Sequence, residues 1–72
     1  MTNEELLRQK IEESGLKIYF IAKQTGISYQ ALLNKMRNER EFKVSEIQKL
    51  SGILNLSADE KENIFFAQNV GK

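Results

Sequence analysis

The 72-residue chain contains no cysteine, no histidine and no proline. Without cysteine it can form neither a disulfide nor a thiolate metal site. Without histidine it lacks the commonest general base and the commonest metal ligand, so we expect no enzyme, catalytic residue, metal or cofactor. Without proline, the ends of helices must be set by glycine and polar turns.

Long apolar runs are also missing. No run approaches the roughly 18 residues that a membrane-spanning helix requires. The first five residues, MTNEE, are acidic and polar, unlike a signal peptide. A cytoplasmic protein with no membrane contact and no small-molecule ligand is therefore the expectation. A chain of this length forms one domain, and so small a domain buries only about 60% of its unfolded surface.

The net charge of +1 is small, but its distribution is uneven. Residues 15–43 carry a net charge of +4, against −2 for residues 1–14 and −1 for residues 44–72. Positive charge therefore collects in the middle of the chain, which is the pattern of a surface that meets an acidic partner or nucleic acid.

Residues 18–37, IYFIAKQTGISYQALLNKMR, predict two helices joined by a tight turn. The first apolar-periodic run stops at Thr25 and Gly26, and glycine suits the position just past a helix end. Ser28 suits the cap of the next helix, because its hydroxyl can accept an unpaired backbone N–H. Two helices joined by three or four residues with a glycine in the turn form the helix-turn-helix unit.

Three further helices are expected. The spacing of Thr2 and Glu5 predicts a capping box that starts the first helix near Asn3. Ser45 is the predicted cap of the fourth helix, with Phe42 and Val44 fastening the preceding loop to the core. Ser57 and Glu60 predict a capping box for the fifth helix, which would run to about Gln68. The sequence thus predicts an all-α, compact five-helix domain over residues 1–68 and a short tail over residues 69–72.

The pattern Ile21, Ala22, Gly26, Ile27 and Leu32 resembles the helix-turn-helix of the Cro and CI-type (XRE-like) phage regulators. The resemblance implies a repressor-type domain whose second and third helices form the helix-turn-helix, in the cytoplasm of a bacterial host. It also implies that the third helix is a recognition helix, whose outer side meets operator DNA or a partner protein.

The resemblance assigns two sets of site residues. The predicted recognition-helix contacts, to bases or to a partner protein, are Ser28, Tyr29, Gln30, Leu33, Asn34 and Arg37. The predicted contacts to phosphate or to an acidic partner are Lys17, Lys35, Arg40 and Lys43. Gln30 and Asn34 each carry the paired donor and acceptor that suit adenine, whereas Tyr29 and Leu33 form an apolar ridge of the kind that protein interfaces favour.

Three functions remain open on these residues. Resemblance to the small antirepressors of temperate-phage genetic switches implies binding to a CI-type repressor and blocked or altered operator binding. A Cro-like operator-binding repressor is the alternative, with Phe65, Phe66 and Ala67 on the fifth helix as a candidate homodimer surface. A helical adaptor without a regulatory role is the third hypothesis.

Overall fold

The computed structural model describes residues 1–67, which form five α-helices and no strand. The helices are α1 (Glu4–Ser14), α2 (Ile18–Thr25), α3 (Tyr29–Met36), α4 (Val44–Ile53) and α5 (Ala58–Phe65). The compact all-helical prediction is confirmed for this part of the chain, whose radius of gyration is 11.0 Å. The predicted domain boundary at residue 68 and the tail 69–72 lie outside the described residues.

The turn between α2 and α3 is built as the sequence predicts. Gly26 has a left-handed backbone, with φ of 82°, and its N–H donates to the Ala22 carbonyl at 3.0 Å. The Ser28 hydroxyl caps α3 by accepting the Ala31 backbone N–H at 3.0 Å. Ile27, between them, packs against the core. These local contacts fix where α2 ends and where α3 begins.

The first helix begins near Asn3, as predicted, but its cap is a different residue. Asn3 caps α1, because its side-chain oxygen accepts the Leu6 N–H at 3.1 Å. Thr2 is buried instead, and its backbone N–H and carbonyl both bind the side chain of Asn38, just past the end of α3, at 2.8 Å each. The Asn3 N–H also donates to the Ile64 carbonyl on α5 at 2.7 Å. The start of the chain thus joins α3 to α5, a connection that we call the N-terminal clasp.

A single core lies between the five helices. Its fully buried side chains are Leu7, Ile21, Leu32, Met36, Leu50 and Ile64. The ring of Phe42 meets that of Phe65 edge to face, with centroids 5.3 Å apart, so Phe42 does fasten the loop before α4. Val44 does not, because it is 67% exposed. Ile47 and Leu50 already supply the inward side of α4, and Val44, its first residue, points away from the core.

The start of α5 was predicted correctly, whereas the cap of α4 and the end of α5 were not. The capping box of α5 is confirmed: the Ser57 hydroxyl accepts the Glu60 N–H at 3.1 Å, and the Glu60 carboxylate accepts the Ser57 N–H at 2.9 Å. Ser45 does not cap α4, since the Glu46 carboxylate accepts the Lys43 N–H at 2.9 Å. The end of α5 at Phe65 comes earlier than predicted. None of the helices in residues 1–67 is long and apolar enough to cross a bilayer.

Candidate functional site

The outer side of α3 brings together the six residues predicted for the recognition helix. Ser28, Gln30 and Arg37 are exposed, as is Tyr29 at 47%. Leu33 and Asn34 are partly buried. Residues four apart on a helix are neighbours on its surface, so Tyr29 lies beside Leu33 and Gln30 lies beside Asn34. We call this surface, residues 28, 29, 30, 33, 34 and 37, the α3 face.

The apolar ridge of the α3 face has two unequal members. Leu33 packs against the core with part of its side chain, so only the remainder is open to a partner. Tyr29 contributes the larger exposed area. A partner that covers this ridge would therefore gain most of its apolar contact from the tyrosine ring.

The polar members of the α3 face contact each other. The Gln30 side-chain amide donates to the Asn34 side-chain oxygen at 3.0 Å. An amide oxygen has two lone pairs and an amide nitrogen has two hydrogens, so each side chain keeps donor and acceptor capacity for a partner. The contact holds the two groups in one orientation beside the apolar ridge.

Three of the four predicted cationic contacts lie on the surface. Lys17 is at the start of α2, and Arg40 and Lys43 are in the loop between α3 and α4. All three are exposed. They are placed where a phosphate or a carboxylate of a partner can reach them.

Lys35 is the exception, and its predicted role is corrected here. It is only 6% exposed, and its Nζ donates to both carboxylate oxygens of Glu46, at 2.7 Å and 2.8 Å. Lys35 lies between Leu32 and Met36 on the inward side of α3, which keeps its ammonium away from solvent. It therefore offers no charge to a phosphate.

Glu46, the partner of Lys35, was not singled out by the sequence analysis. Burial disfavours its charged form, but the hydrogen bonds from Lys35 and from the Lys43 backbone outweigh burial and lower the pKa of Glu46 below 4.5. The Glu46 carboxylate is therefore ionised at neutral pH. Its only sequence signal is the three-residue spacing from Lys43 to Glu46, which is also that of a capping box.

A second lysine–glutamate pair joins α1 to α5. Lys10 contacts Glu60, and this hydrogen bond is the main cause of a raised pKa of Lys10 and a lowered pKa of Glu60. The pair is more exposed than the Lys35–Glu46 pair, with 24% and 35% of the two side chains open to solvent. Its charged groups contact each other and Glu13, all on α1 and α5, which makes it a useful control for the pair on α3.

Other features of the described residues do not point to a site. A groove of about 690 Å³ lies beside α1, and its lining contains none of the predicted site residues. Within residues 1–67, no group of three or more carboxylate, imidazole or thiolate side chains is placed to hold a metal ion.

The comparisons with known proteins identify no relative. The chain matches no protein-family model, no curated protein and no solved structure. What it does must therefore be inferred from its own residues and their geometry.

Proposed function

We propose that this chain is a small helix-turn-helix transcriptional regulator of a phage lysis/lysogeny switch, and that it acts as an antirepressor. In this proposal α2 and α3 form the helix-turn-helix, and the α3 face binds a CI-type repressor and blocks or alters its operator binding. The observation that carries the proposal is the exposed Tyr29 beside Leu33, flanked by the Gln30–Asn34 amide pair and by Arg37.

The composition of the α3 face favours a protein partner over bare DNA. Tyrosine and arginine around an apolar centre are enriched in protein interfaces and in their energetic hot spots. Lys35 is the one cationic residue within α3, and it is buried against Glu46. The helix itself thus presents no cation for the guanine contact that is commonest in major-groove recognition.

A Cro-like operator-binding repressor is the second candidate function. The exposed Gln30–Asn34 pair suits adenine, and Lys17, Arg40 and Lys43 are exposed cations that suit phosphates. Such a protein would act as a dimer, placing two recognition helices about 34 Å apart in successive major grooves. Its binding would weaken steeply with salt, because phosphate contacts release counterions.

Binding to the CI-type repressor encoded nearest to this gene tests the first function. Isothermal titration calorimetry of the two purified proteins should give a saturable complex. Tyr29→Ala should weaken that complex by about 2 kcal/mol, or about 30-fold, if Tyr29 is a hot spot. Tyr19→Ala is the matched control, because Tyr19 is a 68% exposed tyrosine on α2, outside the α3 face. Equal losses in both variants, or no complex with the wild type, would reject this function.

A gel-shift titration over the promoter region separates the two functions. The antirepressor should give no specific band alone and should remove or alter the band of the repressor. A specific band from this chain alone, lost in Gln30→Ala and weakened by salt, would instead favour the Cro-like function.

A further inference from the structure

A buried carboxylate ties together the segments that carry the α3 face and its cations. Glu46 accepts two hydrogen bonds from the Lys35 ammonium on α3 and one from the Lys43 backbone N–H at the end of the following loop. The segment over residues 35–43 carries Arg37 and Arg40. Glu46 binds both its first and its last residue.

Stability alone does not account for burying this pair of charges. The side chains of Lys35 and Glu46 are only 7% and 9% exposed. Removing two charges from water is costly, and well-packed apolar residues often stabilise such a position equally well. A buried ion pair does, however, demand one geometry, because any other arrangement leaves a charge without its partner.

We propose that the Lys35–Glu46 pair is a positioning device that fixes the orientation of α3, and with it the α3 face, against α4 and the adjoining cationic loop. Lys35 directly follows Asn34 and stands two residues before Arg37, so a shift of the helix backbone at Lys35 also moves both face residues. The partner-binding consequence rests on the proposed function, whereas the orientation of α3 does not.

The double variant Lys35→Met/Glu46→Gln removes the ion pair but keeps the apolar packing of residue 35 and the cap of α4. Methionine retains the apolar stem of lysine, and glutamine retains an oxygen to accept the Lys43 N–H. The matched control is Lys10→Met/Glu60→Gln, which makes the same two changes at the α1–α5 pair, where Glu60 likewise accepts a helix-cap N–H from Ser57.

Amide hydrogen exchange measured by NMR tests the positioning role without any partner. In Lys35→Met/Glu46→Gln, exchange at residues 33–36 should become at least tenfold faster than in the wild type, while the amides of α5 keep their wild-type rates. In the control, exchange at residues 33–36 should be unchanged. Exchange in α3 within twofold of wild type would overturn the proposal. If the double variant does not fold, Glu46→Gln alone is measured by the same criteria.

Partner affinity is the second readout. Lys35→Met/Glu46→Gln should bind the CI-type repressor at least tenfold more weakly than the wild type, while the control keeps wild-type affinity. Faster α3 exchange with unchanged affinity would overturn the link between the ion pair and partner binding. Failure of the wild type to bind the repressor would reject the proposed function, and the exchange measurement would still decide the positioning role.

Discussion

Replacing Asn38 with glycine measures how much the N-terminal clasp stabilises the end of α3. The Asn38 side chain donates to the Thr2 carbonyl and accepts the Thr2 N–H, both at 2.8 Å. The Asn38 backbone is left-handed, with φ of 66°. Glycine adopts this conformation freely, so Asn38→Gly removes the two hydrogen bonds without adding backbone strain.

The expected loss follows from these contacts. A hydrogen bond of this kind contributes about 0.5–1.5 kcal/mol net, so the two together contribute about 1–3 kcal/mol. A domain of this size has a free energy of unfolding on the order of 4–11 kcal/mol. The variant Asn38→Ala should lose about 1 kcal/mol more than Asn38→Gly, because a β-carbon disfavours the left-handed backbone.

Urea denaturation followed by circular dichroism measures these differences. Asn55 provides the control, since its backbone is also left-handed, with φ of 54°, but it takes no part in the clasp. Asn55→Gly should leave the free energy of unfolding nearly unchanged. If Asn38→Gly is as stable as Asn55→Gly, the N-terminal clasp contributes nothing to the free energy of unfolding, and its stabilising role is refuted.

Three other expectations concern the core, acid stability and self-association. Leu32→Ala, at a fully buried position on α3, should lower the free energy of unfolding by about 2–5 kcal/mol in urea, and a smaller loss would show that α3 is not anchored there. The lowered pKa of Glu46 stabilises the fold fully above pH 4.5 and progressively less as the pH falls below that value. Acid titration should therefore destabilise the wild type more than Lys35→Met/Glu46→Gln, and equal acid sensitivity would contradict the assignment. Sedimentation equilibrium of Phe66→Ala tests the predicted helix-5 dimer: Phe66 is 47% exposed, so its truncation should weaken self-association, and a wild-type monomer would exclude that dimer.

Element starts were predictable where a cap is local. Ser28 and Ser57 bind N–H groups three residues away, and the sequence spacing alone identifies them. The predicted Thr2 cap of α1 was wrong because Thr2 binds Asn38, 36 residues away, and local spacing cannot reveal such a partner. The cap of α4 is also local, since Glu46 accepts the Lys43 N–H three residues earlier, but Ser45 has the side chain typical of a cap and was predicted instead.

The exposed position of most predicted residues on α3 was correct, but the burial of Lys35 was not predicted. The resemblance to phage regulators placed Tyr29 and Gln30 outward, whereas Leu32 and Met36, four residues apart, share the inward side of α3. Lysine is almost never fully buried unless it is paired, which favoured a surface role for Lys35. Its partner, Glu46, lies on α4 and could not be identified from the pattern of α3 alone.

On α5, too, a contact with another part of the chain decides which residue is buried, in this case Phe65 or Phe66. Adjacent residues on a helix point about 100° apart, so the sequence indicates that one of the two belongs to the core. The contact with Phe42 decides between them, because it places Phe65 inside and leaves Phe66 at the surface. The predicted dimer surface is thereby reduced to Phe66 and its surroundings.

Chemical-shift mapping of the isotope-labelled chain titrated with the CI-type repressor tests directly whether the α3 face is the surface that binds it. If the α3 face binds the repressor, the largest amide shifts fall on residues 28–37 and saturate with the repressor concentration. Shifts confined to α1 or α5, or a spectrum that the repressor leaves unchanged, would contradict it.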